Sequence, residues 1–173
     1  MKNHLLVCVF VFALGGYSRS QTAGAGELKH FALDNLAGVR AVTGVSFDAK
    51  ISADGKGSLR VDAQQPMTVP LFEVRDVSID NAVLIYQASL QSEKLDGRAF
   101  LEMWVRIPGK GEFFSRALDR SVTGTMSWMT VAAPFFLQDG QKPDLIRLNL
   151  VVEGKGRVWI DDIHLSRAPL PSH

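Results

Sequence analysis

Two groups of side chains in this 173-residue sequence are of types and spacings that do chemistry. In "LEMWVRI" (101–107), Glu102, Trp104 and Arg106 alternate with apolar residues and share one face; in "LIRLNLVV" (145–152), Arg147 and Asn149 do the same. An indole flanked by charged and amide groups is a platform for a sugar ring, whose face stacks on the aromatic while its hydroxyls bond the polar neighbours. If both segments lie in one sheet, Trp104, Glu102, Arg106, Arg147 and Asn149 form a concave patch. The same pattern also suits a solvated ladder of charges, with Trp104 covering the sheet edge. Tyr86 is a further aromatic candidate for ligand contact, although its place inside an apolar strand suits core packing better. The second group is the pair Asp161 and Asp162, at the centre of the otherwise apolar "GRVWIDDIHL" (156–165). A buried carboxylate is costly unless paired, hydrogen-bonded or bound to a metal.

Catalytic constellations are thin. Glu73, Asp76, Glu102 and Glu112 are candidate acids for glycoside hydrolysis, which needs two positioned carboxylates, but no motif ties any two together. His30, His164 and His173 are spread along the chain, so no histidine cluster in the sequence suggests catalytic zinc. Ser58 and Ser115 lack a G-x-S-x-G elbow. "EFFSR" (112–116) places Phe113 and Phe114 on opposite faces, so one of them is expected to be exposed and is a second contact candidate.

The elements that must position these residues are strands. Strict alternation recurs in "GSLRVDA", "LEMWVRI" and "LIRLNLVV", which is the pattern of half-buried strands. Turn chemistry separates the runs at 53–57 ("ADGKG"), 95–97 ("LDG"), 108–111 ("PGKG"), 138–144 ("QDGQKPD") and 153–156 ("EGKG"). No helix of ten or more residues is expected; the best local candidates are one turn in "LQSEKLDG" and one from Arg116 to Asp119. Eight or nine strands so punctuated predict an all-β, two-sheet antiparallel β-sandwich, folded as a single domain over 26–167 with an irregular tail at 168–173. Trp128 and Trp159 are expected in its core.

The start of the chain reads differently. A positive "MKNH", the apolar run "LLVCVFVFALGG" and the small residues of "TAGAG" follow the order of a secretory signal peptide, residues 1–25, cut after Ala25. The apolar run is too short for a bilayer span, so no membrane insertion is expected after cleavage. Removing those 25 residues from 173 leaves 148, enough for a real core. Taking Lys2 and Arg19 from the 19 basic residues leaves 17 against 18 acidic ones, a balance that argues against nucleic acid as a partner. Cys8 is the one cysteine. A chain cut after Ala25 therefore has no disulfide, thiol catalysis or cysteine metal site. The expected location is secreted or periplasmic.

The order of segments resembles the jelly-roll sandwich of family 4/9/22-type carbohydrate-binding modules, within the galactose-binding-like group. "GKGSLRV" (55–61) resembles their "GxxSL+V" strand, "LIYQASL" (84–90) an aromatic-bearing strand, and "WMTVAAPFFL" (128–137) a strand with Trp128, Val131, Phe135 and Leu137 in place. "GRVWIDDIHL" matches the closing motif well, whereas the usual "N-x-G-F-E" opening is only echoed by "FALDN" (31–35). The resemblance implies a jelly roll and an exported, non-catalytic domain that binds carbohydrate or another extracellular ligand on a sheet surface. It also implies a structural calcium held by Asp161, with backbone oxygens near Asp54–Lys56 and the Asp34 carboxylate, and leaves Asp162 facing water. Ca²⁺ takes six to eight oxygens; the alternative is an Asp161 that accepts backbone N–H groups or pairs with a base. A structural or protein-interaction sandwich with an extracellular protein as partner, or a glycan-acting enzyme, are the other readings of this scaffold.

Overall fold

The computed structural model describes residues 26–171, which form eight strands and one short 3₁₀ turn. The strands are β1 Gly26–Phe31, β2 Val45–Asp48, β3 Ser58–Ala63, β4 Met67–Arg75, β5 Ala82–Ile107, β6 Gly111–Arg116, β7 Val122–Leu137 and β8 Leu145–Ala168. The expected signal peptide, its cleavage site and the last two residues of the tail lie outside the described residues.

β5 and β8 organise the molecule. They pair antiparallel over nearly their whole lengths, from Val83 opposite Ala168 to Arg106 opposite Leu145. On the far side of β8 lie β4, β3 and β1 in succession, with β2 outside β3; on the far side of β5 lie β7 and β6. Every pairing is antiparallel, and the bent ladder forms the antiparallel β-sandwich anticipated from the sequence.

Two turn signals do not end strands. "LDG" and "EGKG" were expected to separate four strands, yet β5 and β8 run through them as the bend of the ladder. Lys94 and Gly97 take positive φ there (49° and 110°), which re-aims the chain without breaking it. The backbones touch at the bend: a Cβ on Gly154 would lie 1.4 Å from the Asp96 carbonyl oxygen, and one on Gly97 would lie 1.9 Å from that of Glu153. "LQSEKLDG" is thus strand and not a helical turn, while the turn expected at 116–119 forms as a 3₁₀ turn at Leu118–Arg120.

One continuous core fills the sandwich. The inward residues of the β5 arms (Leu84, Tyr86, Leu90, Leu101, Met103) meet those of β8 (Ile146, Leu148, Leu150, Ile160, Leu165) with no solvent exposure. Trp159 is buried as expected, but Trp128 is only half-buried on β7, which pairs on one side with β5 and lies outermost there. Phe113 and Phe114 are both exposed, because β6 is an edge strand and neither of its faces is fully covered.

Candidate functional site

The outer face of the arm built from β4, β8, β5 and β6 carries the polar side chains picked out by alternation. Register aligns them in two rows. Glu73, Arg147, Trp104 and Phe114 lie opposite one another across the four strands, and Pro70, Asn149, Glu102 and Arg116 form the next row. Because the side-chain period of a strand is two, residues so aligned point to the same face. The rows floor a cleft of about 540 Å³, with Trp104, Arg147, Asn149, Glu112, Glu73 and Arg40 on its walls. That volume is within the range of small-molecule sites, about 300–1,000 Å³.

Glu102 is the buried acid of the floor, only 4% exposed. It accepts the Trp104 indole N–H at 2.8 Å, the Arg116 Nε–H at 2.7 Å and the Asn149 amide at 3.2 Å. Three donors from three strands satisfy its charge, and in return it anchors the indole N–H. Trp104 also packs on Phe114, ring centroids 5.1 Å apart and tilted by 44°, and the Arg116 guanidinium covers the other part of Phe114 at 4.7 Å. The walls are ion pairs: Arg147 with Glu112, and Arg40 with Glu73, which Arg75 also contacts at 3.0 Å.

Of the six residues expected to contact ligand, Trp104, Arg147 and Asn149 line the cleft and Glu102 lies beneath it. Arg106 is turned aside to a two-pronged pair with Asp144 (2.8 and 2.9 Å); this hydrogen bond holds Asp144 below, and Arg106 above, its ordinary range. Tyr86 is elsewhere, fully buried between β7 and β8 on the other arm, where burial pushes its hydroxyl far above the usual phenol range. Its apolar strand settles it in the core. Arg40, Thr68 and Pro70 were not picked out from sequence, and Glu73 was named only as a candidate acid and not as a cleft residue. The alternation in "MTVPLFEVR" was available as a signal, but nothing local says that β4 lies beside β8.

A second locus joins the chain ends. Asp161 is fully buried and accepts the Ala53 N–H at 2.8 Å, the Ser52 hydroxyl at 3.3 Å and the Asp162 N–H at 2.9 Å. Burial nonetheless pushes its carboxyl above the usual range. Nearby, the buried Oδ1 of Asp34 has no partner, and its Oδ2 is 4.0 Å from the Lys56 ammonium, which also lies 3.2 Å from Asp54. Two carboxylates with an orphaned buried oxygen suit a hard cation such as Ca²⁺. The 53–56 turn directs N–H groups to Asp161, Ser52 and Asp54, so Asp34 and Asp161 are the donors on which such a site rests.

Asp162 does not simply face water, and His30 and His164, far apart in sequence, meet in space. β1 pairs with the end of β8 so that His30 stands opposite His164, and Asp162 Oδ1 meets both rings, at 2.7 and 3.1 Å. Sequence separation concealed this cluster.

No family model and no curated protein matches the sequence. Solved structures do match in shape. The family 22-1 xylan-binding domain of Paenibacillus barcinonensis Xyn10C superposes with a TM-score of 0.61 at 15% identity, over 86% of this chain and 98% of that one. A Clostridium thermocellum xylanase 10B fragment, family 22-1 binding module plus catalytic module with xylohexaose, gives 0.60 at 10% identity, over 82% of this chain and 28% of that one. A Stig cyclase of Fischerella sp. TAU gives 0.54 at 12% identity, over 89% of this chain and 93% of that one. The chain has the fold of the carbohydrate-binding modules.

Proposed function

We propose that this chain is an exported, non-catalytic domain that binds a polysaccharide strand in the cleft over Trp104. The observation that carries the reading is the register that sets Trp104 between Arg147 and Phe114, with Asn149 and Glu102 in the adjoining row. A stacking ring beside amide and guanidinium donors is the chemistry a pyranose requires. The cleft's acids are engaged: Glu102 by three donors, Glu112 by Arg147, Glu73 by two arginines. That favours holding a ligand over proton transfer to it. Similarity to xylan-binding modules makes xylo-oligosaccharides the first probe, followed by other β-linked glucans and mannans. Calorimetric titration is expected to give saturable binding that Trp104→Ala weakens at least tenfold. Failure of the wild-type chain to bind any glycan in a broad array overturns the reading. In that event the exposed Phe113 and Phe136, on surfaces away from the cleft, favour the alternative of a protein-interaction sandwich.

A structural Ca²⁺ held by Asp34 and Asp161 belongs to the same proposal; it would neutralise two carboxylates and tie the loop after β1 to β8. Excess Ca²⁺ is expected to raise the melting temperature and EDTA to lower it. A melting temperature indifferent to both leaves Lys56 and the N–H donors as the whole of the charge balance. Export follows from residues 1–25, and N-terminal sequencing of secreted material is expected to begin after Ala25.

A further inference from the structure

We propose that His30, Asp162 and His164 form a binding site for a divalent transition-metal ion, with Zn²⁺ as the preferred occupant, separate from both the cleft and the calcium locus. The donor atoms, one from each residue, all lie within 4.8 Å of one another. His30 Nε2 is 2.7 Å and His164 Nε2 is 3.1 Å from the same carboxylate oxygen, Asp162 Oδ1. Two imidazole nitrogens and one carboxylate oxygen, with room left for water, make a three-ligand zinc set; imidazole donors favour zinc, copper and nickel over calcium or magnesium.

The placement is built by the fold. β1 and β8 pair with His30 opposite His164, which puts the rings face to face, centroids 4.3 Å apart and 5° from parallel. Residues two apart in a strand share a face, so Asp162 lies on the side of His164, and a bulge sits beside the pair. Between the pairs Gln87–His164 and Ser89–Asp161, β5 has one residue and β8 has two. Asp162 there adopts a left-handed backbone (φ 51°), unfavourable for most side chains and tolerated by aspartate, and its carboxylate lies beside both imidazoles. Asp161 turns into the protein and Asp162 to this outer cluster, so the two adjacent acids serve different loci.

A fourth residue prepares one ligand. Glu27 Oε2 lies 2.7 Å from His164 Nδ1, on the side of the ring away from Asp162. A proton held on Nδ1 and donated to Glu27 leaves the Nε2 lone pair for the ion, the carboxylate–histidine–metal arrangement in which an outer acid sets the tautomer and raises ligand basicity. Glu27 is therefore a positioning residue. An imidazole Nε2 that carries a proton toward Asp162 gives it up to solvent when the ion binds. Zinc ligands at ~2.0–2.1 Å in a tetrahedral array are roughly 3.3 Å apart, so the Asp162–imidazole spacings open by a few tenths of an ångström while each ring rotates to turn its lone pair inward. The cluster is partly exposed, with His164 at 28% and His30 at 41%, so an ion can enter from solvent.

The test is titration of the untagged chain with Zn²⁺ in buffer containing Ca²⁺, by calorimetry and by following the histidine C–H resonances. One-to-one binding is expected, with the His30 and His164 signals shifting and that of His173 unmoved. Co²⁺ in place of Zn²⁺ is expected to give the visible absorption of a low-coordinate nitrogen–oxygen site, a readout that needs no variant. His30→Gln and His164→Gln are each expected to weaken binding at least tenfold, and Glu27→Gln about tenfold or more. Glycan binding is expected to be the same with and without the ion. The absence of saturable Zn²⁺ binding to the folded wild-type chain overturns the proposal, as does binding that shifts neither His30 nor His164.

Discussion

Glu102 is the residue through which the cleft is held together. Its carboxylate is nearly inaccessible, and its three partners come from β5, β6 and β8. Removing it leaves an indole N–H and an amide short of an acceptor, while the Arg116 guanidinium, 40% exposed, can turn to water. Hydrogen bonds to a charged group contribute about 1.5–3 kcal/mol each in favourable cases, and leaving donors unpaired adds a further cost. Glu102→Ala is therefore expected to destabilise the chain by about 2–4 kcal/mol in urea unfolding, and to weaken glycan binding by freeing the indole to rotate. Glu102→Gln retains one carbonyl acceptor and is expected to fall between the two. Alternation alone named Trp104, Glu102, Arg147 and Asn149. It could not say that Glu102 lies beneath the surface of the cleft, because that depends on β6 bringing Arg116 over it. Arg106 illustrates the converse: it has the right face and the right strand, but Asp144, in the loop just before β8, draws it aside.

At the scale of the element, the bend in the β5–β8 ladder decides whether two long strands can serve both arms of the sandwich. Gly154 lets the two backbones approach to where a single added carbon would overlap the Asp96 carbonyl oxygen at 1.4 Å. No side-chain rotation relieves a contact with backbone, so Gly154→Ala is expected to cost more than about 4 kcal/mol and to lower the soluble yield, with Gly55→Ala, in open space but at positive φ, costing only about 1 kcal/mol. The glycines were legible as turn signals. That they bend a continuous strand and do not end it was not, because the distinction rests on which backbone lies opposite. β2 is fastened in a different way. Asp48, at its end, accepts the Trp159 indole N–H at 3.0 Å and two backbone N–H groups of the following turn. The Trp159 hydrogen bond is the main reason its carboxyl is held below the usual range, against a smaller opposing effect of burial. A carboxyl lowered in the folded state stabilises above its unfolded pKa, about 3.9, and loses that contribution as pH falls through the lower folded value. The stability difference between wild type and Asp48→Ala is thus expected to be level from pH 7 to about 4 and to shrink below that, as read from paired urea melts.

Across the whole molecule, what was legible was the architecture and what was hidden was adjacency. Period-two patterning and the closing "GRVWIDDIHL" motif point to an antiparallel sandwich without any knowledge of strand order. The meeting of His30 with His164, and of Glu73 with Arg147, depends on β1 and β4 lying along β8 from far away in sequence. The same adjacency makes the cleft part of the fold itself, since its floor is the central β5–β8 pair whose reverse side is core. Such a cleft exists only in the folded chain, so ligand and folding are linked by mass action: a glycan at a hundred times its dissociation constant adds about 2.7 kcal/mol, which for a domain of this size is a rise of roughly 5–10 °C in melting temperature. Trp104→Ala is expected to abolish that rise at the same glycan concentration while remaining folded. His30→Gln, on the other arm, is expected to keep it in full, so a glycan-dependent shift lost in both variants would mean that binding is not confined to the cleft.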